Sequence, residues 1–172
     1  MYPRILYAIQ LAVFLAAFCL APFASATTSG TKNQQHVWMQ SNYTVIEHDL
    51  RTQSLDAVIP HITTLVSIWE QRDGAISGEV SPLLITAIIH HTDTTLAMMG
   101  ASITAYSKWL NELEGIVFTD FSGDQFAALV ALKTALSDAL KHYVAIEPVP
   151  SQHAVALQLL THIEAITVRT VQ

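Results

Sequence analysis

The chain carries eight histidines, and their densest group is His90-His91 with Asp93 close behind. Imidazole nitrogens and carboxylates are zinc or copper ligands, and Met98-Met99 would add soft thioethers for copper. The spacing argues against a shared ion. Neighbouring residues on a helix point about 100° apart, so His90 and His91 diverge. Neither a Glu-x-x-His nor a His-x-x-x-His pair occurs to project two ligands from one helix face. Asp138 and His142 share a face, but it lies opposite the apolar stripe of their segment. The spacing therefore predicts no metal site and no cofactor, with the histidines solvated or capping helix ends.

Hydrolytic chemistry finds less support. The sequence has no Gly-x-Ser-x-Gly elbow and no glycine-rich phosphate loop. Its single cysteine, Cys19, lies in the N-terminal apolar stretch. Glu112 and Glu114 sit two apart on a helix, so their carboxylates diverge. The chain reads as a non-enzyme with no catalytic residues.

The elements around these residues begin with an address. Arg4 precedes an almost unbroken apolar run from Ile5 to Leu20, and Ala24-Ser25-Ala26 supplies small residues where a signal peptidase cuts. Residues 1–26 are predicted to be a secretory signal peptide, because the run is shorter than the roughly 20 residues that span a bilayer. The protein would then be secreted, extracellular or, in a bacterium, periplasmic. Bulky Phe18 precedes Cys19 where lipidation wants a small residue. Without Cys19 the rest has no disulfide and must rely on packing.

Charge narrows the partners. Eight Lys and Arg face fourteen Asp and Glu, a formal net charge of −6, and loss of Arg4 makes the remainder more acidic. No basic stripe is present, which excludes nucleic acid as a partner and disfavours anionic head groups. Affinity for a lipid or a surface must come from apolar contact.

Residues 27–41 are polar at the outset and read as a flexible leader. Residues 42–172 read as a helical domain. Asn42-Tyr43-Thr44 forms an N-glycosylation sequon, making Asn42 a candidate acceptor. Ile46, Leu50, Leu55, Val58, Ile62, Leu65 and Trp69 recur at helical spacing, with a break expected at Pro60. Asp73-Gly74 and Gly78 are expected to end that element, and Ser81-Pro82 to start the next. Ile85, Ile89, Leu96, Met99, Ile103, Tyr106, Leu110 and Leu113 then form one seam, on a single helix or on two meeting near Gly100. Ser122-Gly123-Asp124-Gln125 fits a capping box ahead of Leu129, Leu132, Leu136 and Leu140. Pro148 and Pro150 make a turn, and Ser151 caps a last helix carrying Leu159 and Ile163. No segment alternates with period two. The pattern predicts an all-α fold, an antiparallel bundle of four to five amphipathic helices. Trp69, Trp109, Tyr106, Phe118, Phe121, Phe126 and Tyr143 flank the apolar stripes, as core residues or as the lining of an apolar cavity or patch.

Several of these features resemble a known family. They are Val45, Ile46 and Asp49-Leu50 at the head of a long helix, and the glycine break from Gly74 to Gly78. Phe118 or Phe121 with Gly123 follows, ahead of Leu129, Leu132 and Ala139-Leu140. Val149-Pro150 then leads into Ala154, Leu159 and Ile163. This is similar to the fungal hydrophobic surface-binding protein A family, which includes cell-wall galactomannoproteins. The resemblance implies association with the cell wall, adsorption to hydrophobic surfaces and capture of a fatty acid or similar lipid inside the bundle. By that analogy the ligand-binding residues are Ile89, Leu96, Met99, Ile103, Leu129, Leu136 and Ile163. Two other classes stay open: an extracellular or periplasmic adaptor or inhibitor that binds another protein, and a His/Met metal-binding bundle.

Overall fold

A computed structural model describes residues 32–146 and 148–171. The signal peptide expected over 1–26 lies outside them. The described residues form seven helices and two short strands rather than four or five helices. Among them no helix is long and apolar enough to cross a membrane.

The first helix, α1, spans Lys32–Thr52 and the second, α2, spans Leu55–Glu70. Residues 32–41 therefore belong to a helix and not to a flexible leader. The reason is Met39, which is fully buried on the same helix face as Ile46 and Leu50. The break falls at Gln53-Ser54, where the main-chain carbonyl of Ser54 accepts from the amides of Ala57 and Val58. Pro60 lies inside α2 without ending it. It sits on the exposed side of the helix, as does Asp56, whose carbonyl would have met the missing N–H.

The third helix, α3, spans Gly74–His90, so Asp73 starts a helix where the sequence suggested an end. The Asp73 carboxylate caps it by accepting from the Ile76 amide at 3.1 Å. Ser81 and Pro82 are internal to α3. Ser81 is fully buried, and its hydroxyl accepts the indole N–H of Trp109 at 3.0 Å. Every residue from Leu83 to Ile88 is buried, the mark of a helix surrounded on all sides. The contacts agree: α3 packs on α1 and α2.

The long seam is three helices. The fourth, α4, spans Thr92–Gly100 and the fifth, α5, spans Ile103–Ile116. The first break is at His91, at φ −137° and ψ 50°, whose Nε2 lies 3.0 Å from the carbonyl of Leu50 in α1. The second is at Ala101-Ser102, beside the expected Gly100. The sixth helix, α6, spans Phe126–Ala145 and the seventh, α7, spans Pro150–Ala165. Besides α1 and α2, α3 touches α4, α5 and α6. Two strands, β1 at Thr119–Asp120 and β2 at Arg169–Thr170, pair in parallel. Each is too short to show alternation in the sequence.

The entry to α6 is organised by Asp120. Its carboxylate accepts from the amides of Gly123 at 2.7 Å, Gln125 at 3.0 Å and Ser122 at 3.1 Å. Gly123 takes φ 84°, a left-handed conformation that favours glycine. Ser122 turns its hydroxyl to Asp120 and Asp124 instead of capping the helix. Val149 precedes α7 with Pro150 at its first position, and no side chain, Ser151 included, caps it.

At the centre, Trp69 and Trp109 meet edge to face at 6.2 Å, and Tyr106 lies 6.0 Å from Trp109. The Arg72 guanidinium lies 4.9 Å from the centre of the Trp69 ring. It donates to the carbonyls of Trp69 and Ala105 and reaches Glu112 at 3.3 Å, tying the α2–α3 link to α5.

Candidate functional site

The seven residues assigned to a ligand cavity by resemblance do not meet around one. Leu96, Met99, Leu136 and Ile163 are fully buried, Ile89 and Leu129 are half-buried, and Ile103 is 75% exposed. The buried seam residues belong to one apolar core cluster, and such interiors pack at crystal-like density with little room to spare. The small residues Ala87 and Ala156 are also fully buried and leave no slot there.

Space appears instead on the outside of α7. This helix packs on α6 and α4, while its flank toward α5 stays open. A groove of about 560 Å³ lies between α4, the start of α5 and the first turns of α7. Leu96, Ala97, Gly100, Ala101, Ile103 and Tyr106 line one wall, and Ser151, Gln152, Ala154, Val155 and Gln158 the other. Of the seven predicted residues only Leu96 and Ile103 reach it. A second groove of about 580 Å³ continues between α5 and α7, lined by Ser107, Leu110, Asn111, Leu157, Gln158, Thr161, His162 and Ala165. Gln158 belongs to both, so together they follow α7 from Ser151 to Ala165. At 1.5 Å per residue that run is about 21 Å long.

Two contacts set the groove's upper part. A Cβ on Gly100 would stand 3.0 Å from Val155 Cγ2, so α4 and α7 approach as closely as a glycine permits. Tyr106 donates its hydroxyl to the Val155 carbonyl at 2.9 Å. Burial pushes the Tyr106 phenol well above its ordinary value, so it stays neutral. Among the described residues no Lys, Arg, Asp or Glu lines either groove.

A third groove, of about 690 Å³, has a different character. Phe126, Val130, Ile166 and Val168 share its lining with the charged residues Lys133, Asp138, Lys141 and Glu164. Lys141 pairs with Glu164 at 3.0 Å, and Lys133 donates to the Ile166 carbonyl. None of the three grooves is lined by Ile89, Met99, Leu129, Leu136 or Ile163.

The histidines are scattered among separate partners. His36 meets Glu79 at 2.8 Å and His61 meets Asp49 at 3.4 Å. Asp93 accepts the Tyr143 hydroxyl at 2.6 Å, while His91 faces Leu50, so the sequence cluster is not one site. Among the described residues no group of three His, Cys, Asp or Glu is placed to hold a metal. Asn42 is half-buried within α1 and donates its side-chain amide to the Trp38 carbonyl at 2.8 Å. Of the stripe aromatics, Trp69, Trp109, Tyr106, Phe118 and Tyr143 are buried, and Phe121 and Phe126 are exposed.

Sequence reasoning read Gly100 only as a helix break and Ala154 only through the resemblance, and passed over Ala97, Ala101 and Gln158. Their signal is a set of small residues three and four apart, Ala97, Gly100 and Ala101, on a helix otherwise lined by Leu96 and Met99. Comparison with protein-family models, with curated proteins and with solved structures found no match.

Proposed function

We propose that this is a secreted, non-enzymatic helical protein that holds one long acyl or alkyl chain along α7, and lies against apolar surfaces by the same face. The observation that carries this reading is the pair of grooves that share Gln158 and together flank α7 from Ser151 to Ala165, bordered by Ile103 and Leu157, apolar side chains left exposed. Their joint length of about 21 Å exceeds the roughly 15 Å that an acyl chain spans in half of a bilayer's hydrocarbon core. Each part falls within the size range of small-molecule sites.

The energetics are adequate. Burying a methylene contributes about 0.8 kcal/mol, and an open groove covers about half of a chain's surface. About fourteen methylenes then contribute on the order of 6 kcal/mol before the cost of association, which leaves binding no tighter than the range between micromolar and millimolar. Such affinity suits pick-up and release. The resemblance to the hydrophobic surface-binding protein A family supports the same reading, as does the N-terminal signal pattern. It takes the helices as an antiparallel bundle whose outer groove, rather than its interior, receives the chain.

The test is organic extraction of purified protein followed by mass spectrometry, with uptake of added long-chain lipid measured in parallel. A near-stoichiometric lipid, or saturable uptake, supports the reading. A clean extract with no uptake overturns it and favours a protein partner.

A further inference from the structure

Resting on the groove reading above, the geometry points to a narrower ligand class: we infer that the chain held along α7 carries an uncharged polar head, such as an alcohol or glyceryl ester, rather than a free carboxylate. Among the described residues the two groove segments contain no Lys or Arg, and their titratable members are Tyr106 and His162. The Tyr106 hydroxyl is already engaged by the Val155 carbonyl.

Six cations elsewhere among the described residues have partners of their own. Arg51 holds Glu47, Arg72 and Lys108 hold Glu112, Lys141 holds Glu164 and Arg169 holds Glu114. Lys133 donates to the Ile166 carbonyl in the separate, charged groove. An anionic head would therefore sit against neutral side chains on a chain of net charge −6, where the summed field repels it. What the groove does offer is neutral hydrogen-bonding groups: Ser151, Gln152 and Gln158 along the upper part and Asn111 lower down. These match a hydroxyl or an ester, each of which both needs and can return a modest number of neutral hydrogen bonds. Leaving a carboxylate without a charged partner costs more than leaving a hydroxyl, so the discrimination follows from the missing cation.

The experiment compares 1-dodecanol with dodecanoate at pH 8 by equilibrium dialysis against the purified protein, and repeats both with Gln158→Lys. Gln158 is exposed at the junction of the two segments, so the substitution adds a cation without disturbing the core. The expected result is dodecanol binding at least ten-fold tighter than dodecanoate, with Gln158→Lys closing most of that gap chiefly by improving dodecanoate, while dodecanol weakens slightly with the loss of the Gln158 amide. Equal or tighter binding of dodecanoate to the unmodified protein overturns the inference while leaving the groove as the chain site. Failure of both ligands to bind overturns the groove reading and the inference with it.

Discussion

The hydroxyl of Tyr106 reaches across from α5 to the main-chain carbonyl of Val155 in α7, 2.9 Å away. It is a strut between α5 and α7, and both of its residues line the upper groove. Tyr106→Phe keeps the ring in the core and removes the strut. The expected loss is about 1 kcal/mol of stability, read from urea denaturation midpoints, together with weaker lipid uptake as α7 loosens.

Gly100 faces the same residue from α4. A side chain there meets Val155 Cγ2 at once, at 3.0 Å from the new Cβ. Gly100→Val is expected to destabilise by about 1–3 kcal/mol through overpacking. Adding Val155→Ala should recover more than half of that loss. Strictly additive effects in the double-mutant cycle would show that the two residues do not share a contact.

Ala101 and Ala154 lie exposed on opposite walls of the groove. Ala101→Trp and Ala154→Trp should each fill it. Lipid uptake is expected to drop at least ten-fold while stability stays within about 0.5 kcal/mol, as for ordinary surface changes. Unchanged uptake in both variants would place the lipid elsewhere.

Arg72 is buried, and its guanidinium touches the Trp69 ring face, two carbonyls, Ser77 and Glu112. Arg72→Ala removes those hydrogen bonds and the ring contact and opens a gap, with an expected cost of about 3 kcal/mol in chemical denaturation. Arg72→Lys should recover little, because an ammonium cannot copy the planar fork.

Asp120 gives a pH signature. Burial alone would raise its carboxyl, but hydrogen bonds from Gly123, Ser122 and Gln125 outweigh that and hold it below the ordinary carboxylate value. In the unfolded chain it titrates near 3.9. The folded state therefore binds the proton less readily than the unfolded one. The contribution to stability is complete above about pH 4 and is lost as pH falls through the folded value. Thermal melts should show a decline in acid that Asp120→Asn flattens, with the variant less stable at neutral pH.

Helicity and most of the core were legible, because burial of Ile46, Leu65, Ile85, Leu96, Leu110 and Leu140 follows the 3.6-residue period of the sequence. The breaks were not. His91 leaves helical geometry facing a carbonyl 41 residues away, which no local pattern records. Pro60 and Pro82 carry strong local signals for a break, and tertiary packing overrides both. At the start of α6 several acceptors compete within a few residues, and the pattern favoured Ser122 over the buried Asp120. The groove escaped notice for a related reason. A seam of large residues announces what is packed, whereas a groove lies where two helices fail to pack, a property of neither helix alone.

The enclosure of α3 has a consequence for how the molecule opens. Helices lie on several sides of its Leu83–Ile88 stretch, so no single helix can peel away and bare it. Deuterium should enter those amides last, at a rate set by unfolding of the whole chain, while amides along α7 beside the groove exchange through smaller openings. On the proposed function, a chain would enter beside α7 without any opening of α3.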